Sequence, residues 1–185
     1  MTGTLRRDAQ RNRDLIVDAA RRAFAEEGLD VCVGDIAKRA GVGVGTLYRR
    51  FPTKQSLIEA IFEQRVDDLQ PAIDRALAAD DAWEGFVGLV HATVALRAAD
   101  QGFLQMISLR IGPEAVPDEV RRRFFAPLEE LLDRAQQAGQ VRADLTPADL
   151  PPVIRMAGAA ALGSADGAPD IERHVGLLLD GLRVR

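Results

Sequence analysis

Cysteine and histidine are both scarce in this chain of 185 residues. The single cysteine, Cys32, excludes an internal disulfide framework and is typical of a protein of the reducing cytoplasm. The two histidines, His91 and His174, lie too far apart in the sequence to form a recognisable zinc-binding pattern. We therefore expect no metal site, no cofactor and a cytoplasmic location.

Long apolar runs are also missing. No stretch approaches the roughly 18 uninterrupted apolar residues that a membrane span requires, so we expect no membrane segment. The amino terminus contains Arg6, Arg7, Arg11 and Arg13 without an apolar run, which is unlike a secretory signal. With 47% apolar and 28% charged residues, the chain is nonetheless able to bury a core.

Charge is distributed unevenly along the chain, whose formal net charge is −4. Residues 1–55 carry 11 basic and 7 acidic side chains, whereas the remaining 130 residues carry 13 basic and 21 acidic ones. This charge distribution indicates that the basic amino-terminal part binds phosphate groups and that the acidic body does not.

Apolar residues recur mainly at helical spacing, and no segment shows the alternation of a strand. This predicts an all-α fold of about nine helices: three helices in an amino-terminal part at residues 9–55, followed by a larger helical body at 56–185. A long fourth helix, capped by Thr53 and kinked at Pro71, links the two. The further helices are expected at residues 82–99, 101–111, 118–138 (bent at Pro127), 147–163 and 170–183.

Residues 35–54 carry the most specific pattern of the chain. A short segment with Ile36 and Ala37 on one side is followed by a glycine turn at Gly41, a second short helical segment, and a stop at Pro52. This is the order of a helix-turn-helix, in which the second helix lies in the major groove of DNA.

The second segment carries side chains suited to DNA. Small residues at its amino end allow the backbone to approach DNA closely, and Tyr48 is the only tyrosine of the chain. Arginine reading guanine O6 and N7 is the commonest specific base contact, so Arg49 and Arg50 are the base-reading candidates. Lys54 is placed to neutralise a backbone phosphate. The predicted DNA-binding residues are Gly43, Val44, Gly45, Thr46, Tyr48, Arg49, Arg50 and Lys54.

Three segments follow one another in a specific order: FAEEG at residues 24–28, DIAKRAGV at 35–42, and GTLYRRF at 45–51, followed by Lys54. Over about residues 10–62 they resemble the amino-terminal domain of TetR-family transcriptional regulators. The resemblance implies a homodimeric repressor of double-stranded DNA, with a helix-turn-helix domain at residues 9–55 and a larger helical ligand-binding and dimerisation domain at 56–185. A small-molecule inducer bound in the body would release it from a palindromic operator.

Two positions depart from the family pattern. Gly43 stands where a serine or threonine usually caps the recognition helix, so one side-chain hydrogen bond is lost. Cys32 lies near a position that is often threonine, in a loop that looks about one residue short. We interpret Cys32 as a small buried residue, because free cysteines are usually buried and inert.

Other interpretations of the sequence remain to be weighed. Gly41 to Gly45 superficially resemble a dinucleotide-binding loop, but such a loop follows a strand, and here helices flank it. A helical dimer that binds a small molecule or a protein without reading DNA is the alternative function. No nucleophile, base and orienting group are recognisable together, so we expect no enzyme activity.

Aromatic and soft side chains of the body could line a ligand pocket between helices. The alternative, that most of them are ordinary core, is open, because helical spacing alone predicts burial. The predicted pocket residues are Trp83, Phe86, His91, Phe103, Met106, Arg110 and Phe124.

The last two helices are predicted to form the homodimer interface. Residues 156–165 are mostly small, which allows helices to approach closely, and Ile171, Val175, Leu178 and Leu182 share one face of the final helix. Paired with their symmetry mates, the two helices would form a four-helix interface around a two-fold axis. The alternative, that they only close the core of the monomer, is open, and the dimer interpretation rests mainly on the family resemblance.

Overall fold

The structure is a computed structural model that describes residues 2–99, 117–160 and 169–184, with side chains at 10–96, 117–159 and 172–184. Its described part is all-helical, as predicted. The predicted helix at 101–111 lies outside the described residues. The described residues form eight helices: α1 (Thr2–Glu27), α2 (Val33–Ala40), α3 (Val44–Arg50), α4 (Lys54–Leu77), α5 (Ala82–Ala99), α6 (Asp118–Val120, Arg121–Phe125 and Ala126–Gln137), α7 (Leu150–Ala160, preceded by a 3-10 turn at Pro147–Asp149) and α8 (Pro169–Asp180).

The described residues form two compact units whose boundary falls inside α4. The amino-terminal unit contains residues 2–64, and the carboxy-terminal unit contains the described residues from 65 onward. Helix α4 begins where Thr53 predicts it, since the Thr53 hydroxyl accepts a 3.0 Å hydrogen bond from the Ser56 amide. The division of function at residue 55 stays a prediction.

The amino-terminal unit is built around one apolar core. Phe24 of α1, Ile36 of α2 and Leu47 of α3 are all fully buried, and the first turns of α4 add Leu57 and Ile61. Each helix thus buries one apolar stripe and leaves its opposite side exposed. This packing holds α3 in place from one side only.

Helix α5 is the centre of the carboxy-terminal unit. It contacts α6, α7 and α8, and apolar residues lie on most of its circumference, as expected of a helix enclosed by others. Gly85 of α5 lies against the backbone of α4: a Cβ there would lie 2.5 Å from the carbonyl oxygen of Ala76. A side chain is therefore excluded where α5 passes the last turns of α4.

The irregularity predicted at Pro127 lies just upstream of it. Residues Arg121–Phe125 form a π-helical turn, in which the Ala126 amide donates to the carbonyl of Arg121, five residues earlier. Pro127 lacks an amide hydrogen, and its ring would crowd the carbonyl of Arg123 in a regular α-helix. The wider turn before the proline relieves that conflict.

The carboxy terminus is tied down by a feature that periodicity does not reveal. Val141 and Arg183 form an isolated antiparallel β-bridge, with the Arg142 amide donating to Leu182 at 3.0 Å. The guanidinium of Arg183 also lies over the Trp83 ring, 5.8 Å from its centroid.

Among the described residues, no helix combines the length and the apolar character needed to cross a membrane.

Candidate nucleic-acid interface

The turn between α2 and α3 has the geometry of a helix-turn-helix. Gly41 adopts φ +67°, a left-handed conformation that residues with a Cβ rarely adopt. The amide of Val42 donates to Ala37 at 3.0 Å, which closes the carboxyl end of α2. Only three residues separate the two helices, so the turn predicted at Gly41 is confirmed.

One side of α3 is fixed in the core. Leu47 is fully buried, and Phe51, just beyond the helix, is 5% exposed. The amide of Phe51 donates to the carbonyl of Leu47 at 2.8 Å. These anchors determine which residues of the short helix face outward.

The opposite side of α3 combines apolar and cationic side chains. Val44 is 46% exposed and Tyr48 is 48% exposed, and Arg49 and Arg50 are exposed beside them. The Arg49 guanidinium donates a 3.2 Å hydrogen bond to the hydroxyl of Thr46, one turn earlier. Of the five side chains predicted on this helix, four are exposed and Thr46 is half-buried.

The arginines of α3 have a different electrostatic environment from Arg39 on α2. Arg39 donates to Glu26 at 2.6 Å and also to Glu27, so its charge is neutralised within the chain. Within the described residues, no carboxylate forms an ion pair with Arg49 or Arg50. Two exposed arginines of α3 thus carry positive charges that no carboxylate in the described part of the chain pairs with.

Arg39 is a positioning residue that the sequence interpretation missed. The hydrogen bond to Glu26 is the main cause that raises the pKa of Arg39 above its ordinary value. The two carboxylates belong to the last turn of α1, so the guanidinium ties the end of α1 to α2. No sequence signal marks such a pair, because the residues lie outside helical spacing from each other.

The Lys54 side chain, which is predicted to contact phosphate, is also held by a contact within the chain. It is half-buried, and its ammonium group donates a 2.7 Å hydrogen bond to the carbonyl oxygen of Leu29, in the loop between α1 and α2. An ammonium group has three donors, so this bond leaves donors for a phosphate.

The amino end of α3 is bare. Gly43 precedes the helix with φ −69°, and the space where a Cβ of Gly45 would lie is open. As the sequence predicts, α3 has no side-chain hydrogen bond at Gly43. Neither backbone strain nor packing requires a glycine at these two positions. The absence of side chains there leaves the backbone at the amino end of α3 uncovered.

The interpretation of Cys32 as a buried residue was wrong. Cys32 precedes α2 with an extended backbone, and its side chain is exposed and forms no capping hydrogen bond. The neighbouring Val31, which is 5% exposed, fills the core instead. An extended segment points successive side chains to opposite sides, so only one of the two can be buried.

Four of the seven predicted ligand-pocket residues lie in the part of the chain that the structure describes, and they differ in burial. Trp83 and Phe86 are buried and stack with ring centroids 5.6 Å apart. Phe124 is buried on α6, and His91 is half-buried on α5. The remaining three predicted pocket residues, Phe103, Met106 and Arg110, lie outside the described residues.

A groove of about 490 Å³ lies elsewhere in the carboxy-terminal unit. Its polar groups already serve the fold: Arg134 donates to the carbonyls of Leu77 and Ala79, and Gln140 donates to Asp81 at 2.8 Å. None of the four predicted pocket residues that the structure describes lines it. Its lining consists of Asp80, Asp81, Ala82, Arg134, Gln137, Ala138 and Gln140.

The predicted dimer face needs a correction at the level of residues. Val175 is fully buried and Leu182 is 8% exposed within the chain itself, so neither is available to a partner. Val175 packs inside the carboxy-terminal unit because α8 must bury one apolar stripe against α5 and α7. Leu182 lies beyond the end of α8, where its carbonyl oxygen accepts a hydrogen bond from the Arg142 amide. Among the described side chains of these two helices, the large apolar ones that are exposed are Met156 on α7, at 52%, and Leu177 on α8, at 58%.

Two other chemistries find no support in the described residues. The glycines between residues 41 and 45 lie between helices α2 and α3, not after a strand. No group of three or more His, Cys, Asp or Glu side chains that could hold a metal ion occurs in the part of the chain that the structure describes.

Comparison with known families gives a match over both units. Residues 16–61 match the family described as bacterial regulatory proteins, tetR family. Residues 78–184 match the carboxy-terminal domain described as transcriptional regulator SbtR-like. The helix-turn-helix region and most of the body are therefore each assigned by a separate match.

Solved structures extend the likeness over nearly the whole chain. A TetR transcription regulatory protein from Mycobacterium vanbaalenii is 38% identical, with 97% of this chain and 99% of that chain covered and a TM-score of 0.61. A TetR transcriptional regulator from Streptomyces coelicolor is 35% identical, with 92% and 98% covered and a TM-score of 0.56.

Curated relatives match over a shorter region. An HTH-type transcriptional regulator of Staphylococcus aureus strain MRSA252 is 40% identical over 81 residues, which is 42% of this chain and 42% of that protein. The chain therefore spans less than half the length of this curated relative.

Proposed function

Since the chain belongs to the TetR family of bacterial regulatory proteins, we propose that it is a homodimeric transcriptional repressor that a small-molecule inducer releases from a palindromic operator. The family consists of transcriptional regulators and not of enzymes, and we assign no catalytic residue. The proposed site of action is double-stranded DNA in the cytoplasm.

The observation that carries this proposal is the two-sided character of α3. Leu47 fixes the helix from below, while its outer surface presents two arginines that no carboxylate of the described chain neutralises. Such a surface attracts the phosphates of DNA, and a rigid helix allows its side chains to read base edges.

The residues of the interface divide between two roles. Arg49 and Arg50 are proposed to read guanine, since a guanidinium donates to O6 and N7 of that base. The hydrogen bond from Arg49 to Thr46 orients one of these side chains before DNA is bound. Tyr48 and Lys54 are proposed to bind phosphate, which sets the register of the protein on the duplex.

The homodimer is proposed to form through α7 and α8. Met156 and Leu177 each leave a large apolar side chain more than half exposed on helices that contact each other within the protomer. A two-fold axis through this face would bury both side chains and their copies. The two recognition helices could then meet successive major grooves, which are about 34 Å apart.

The inducer is proposed to act through this spacing. In some conformations the spacing of the two recognition helices does not match successive major grooves. A ligand that binds the carboxy-terminal unit more tightly in those conformations lowers operator affinity, and operator DNA lowers ligand affinity by the same coupling free energy. The aromatic residues Trp83, Phe86 and Phe124 are retained as candidate pocket residues, together with His91 and the three that lie outside the described residues.

Selection from a pool of random duplexes with the purified full-length protein tests the proposal. We expect enrichment of a palindrome, with affinity that falls about a thousandfold between roughly 50 and 200 mM salt. Arg49→Ala and Arg50→Ala should relax base preference at defined positions. Tyr48→Phe should weaken all sequences alike. Retention of ligand without any preferred duplex would instead indicate a helical binding module that does not read DNA.

The dimer face has its own variant. Leu177→Arg places a charge in the proposed interface, so we expect monomers in sedimentation and a large loss of operator affinity. Val184→Arg is the matched control, because Val184 is 54% exposed but lies beyond α8. A Leu177→Arg protein that remains dimeric would contradict the assignment of this face.

A further inference from the structure

An exposed apolar side chain stands at the first position of α3. Val44 is 46% exposed, although the helix is short and its neighbour Leu47 is fully buried. The packing of the amino-terminal unit therefore does not require an apolar residue at position 44. A solvent-exposed valine on a surface otherwise suited to DNA needs another explanation.

Val44 has no side chain directly before or after it in the sequence. Gly43 and Gly45 flank it, and no atom lies within 4 Å of the place where a Cβ of Gly45 would be. Tyr48 follows four residues later and is exposed to a similar extent, so the two side chains form one apolar ridge along the helix. Val44 is the part of this ridge nearest the amino end, where residues of a recognition helix meet base edges.

The major groove offers few partners to such a side chain. Guanine, cytosine and adenine present hydrogen-bond donors and acceptors there, which a valine cannot satisfy. Thymine adds a C5-methyl group, the one apolar feature that any base presents in the major groove. Burial of two methyl groups against a third removes apolar surface from water.

We propose that Val44 is a specificity-determining residue that reads the C5-methyl group of a thymine in each operator half-site. The inference rests on the proposed function, since it presupposes that α3 enters the major groove. It adds a chemical identity to the recognised sequence: a T·A pair within reach of Val44, beside the guanines that Arg49 and Arg50 read.

Deoxyuridine substitution tests the contact at a single methyl group. Each thymine of the selected operator is replaced in turn by deoxyuridine, which preserves base pairing and removes only the C5-methyl. The full-length protein should lose about fourfold in affinity per half-site at one thymine position and little at the others. Val44→Ala should lose a similar factor on the thymine duplex and should show no further loss on the corresponding deoxyuridine duplex.

A matched control separates this contact from general effects of exposed apolar residues. Leu15→Ala removes an apolar side chain of similar exposure, 43%, from α1 and should retain the full preference for thymine. Equal affinity for all thymine and deoxyuridine duplexes would overturn the inference, and so would an undiminished preference in Val44→Ala. Both results leave operator binding itself intact. The absence of any enriched duplex would instead count against the proposed function.

Discussion

The ammonium nitrogen of Lys54 lies 2.7 Å from the carbonyl oxygen of Leu29 and joins the first turn of α4 to the loop between α1 and α2. This contact gives Lys54 a structural role inside the amino-terminal unit. The proposed phosphate contact adds a second role, since one hydrogen bond leaves the ammonium group further donors. The two roles predict different measurable losses.

Lys54→Met keeps the length of the side chain and removes its charge. We expect the free energy of unfolding to fall by about 1 kcal/mol, because the Leu29 carbonyl loses its partner. We also expect operator affinity to fall for all sequences alike, with the salt slope reduced by about one for each protomer. Chemical denaturation and duplex binding at several salt concentrations measure the two effects.

Lys54→Arg is the control, because it keeps the positive charge and changes the geometry of the hydrogen bond to Leu29. It should preserve most of the salt slope while losing part of the stability. An unchanged salt slope in Lys54→Met would show that Lys54 is structural only and contacts no phosphate.

Gly45 provides a variant in which stability and function are expected to change in opposite directions. A methyl group there meets no atom within 4 Å, and alanine favours a helix over glycine by up to about 1 kcal/mol. Gly45→Ala should therefore fold at least as stably as the parent. On the proposed interface the added methyl would lie between backbone and DNA, so affinity should fall by about tenfold or more, the size expected when a base contact is lost.

Gly88→Ala is the matched control for this experiment. Gly88 is an exposed residue of α5, and no atom lies within 4 Å of the place where its Cβ would be. It should raise the melting temperature and leave operator affinity unchanged. Equal affinity of Gly45→Ala and the parent for the operator would contradict close approach of the amino end of α3.

Local signals in the sequence were sufficient for the helix-turn-helix. Gly41 marks the turn because few other residues adopt its left-handed backbone, and Pro52 marks the end of the short helix. Helical spacing then identifies Leu47 as the buried side, and the exposed residues of α3 follow from it. These features depend on neighbours within a few residues, which is why they can be predicted.

Contacts between distant segments could not be predicted in this way. The pairing of Arg39 with Glu26 and the bond from Lys54 to Leu29 depend on how helices pack, not on any period in the sequence. The same holds for the bridge between Val141 and Arg183. The final helix illustrates the limit: periodicity identified an apolar stripe but not whether a partner or the chain itself covers it.

Gly85 predicts a strong effect on stability without an effect on the proposed interface. A Cβ at this position would lie 2.5 Å from the Ala76 carbonyl oxygen and 3.1 Å from a methyl group of Leu131. Gly85→Ala must therefore displace backbone, and we expect a loss of about 1–3 kcal/mol in the free energy of unfolding. Urea denaturation measures it, with Gly88→Ala on the same helix as the control; equal stabilities of the two variants would contradict the close crossing.

Asp81 predicts a stability that depends on acid pH. Its carboxylate accepts hydrogen bonds from the amides of Glu84 and Trp83 and from the side chain of Gln140, and these, the Glu84 bond foremost, lower the pKa of Asp81 below 3.8. Because the pKa is lower in the folded state, the ionised group contributes stability that is present above about pH 3.8 and is lost as pH falls through the folded value. Asp81→Asn should consequently lower the melting temperature more at about pH 7 than at about pH 3. An equal loss for Asp81→Asn at both pH values would contradict the hydrogen-bonded carboxylate as its cause.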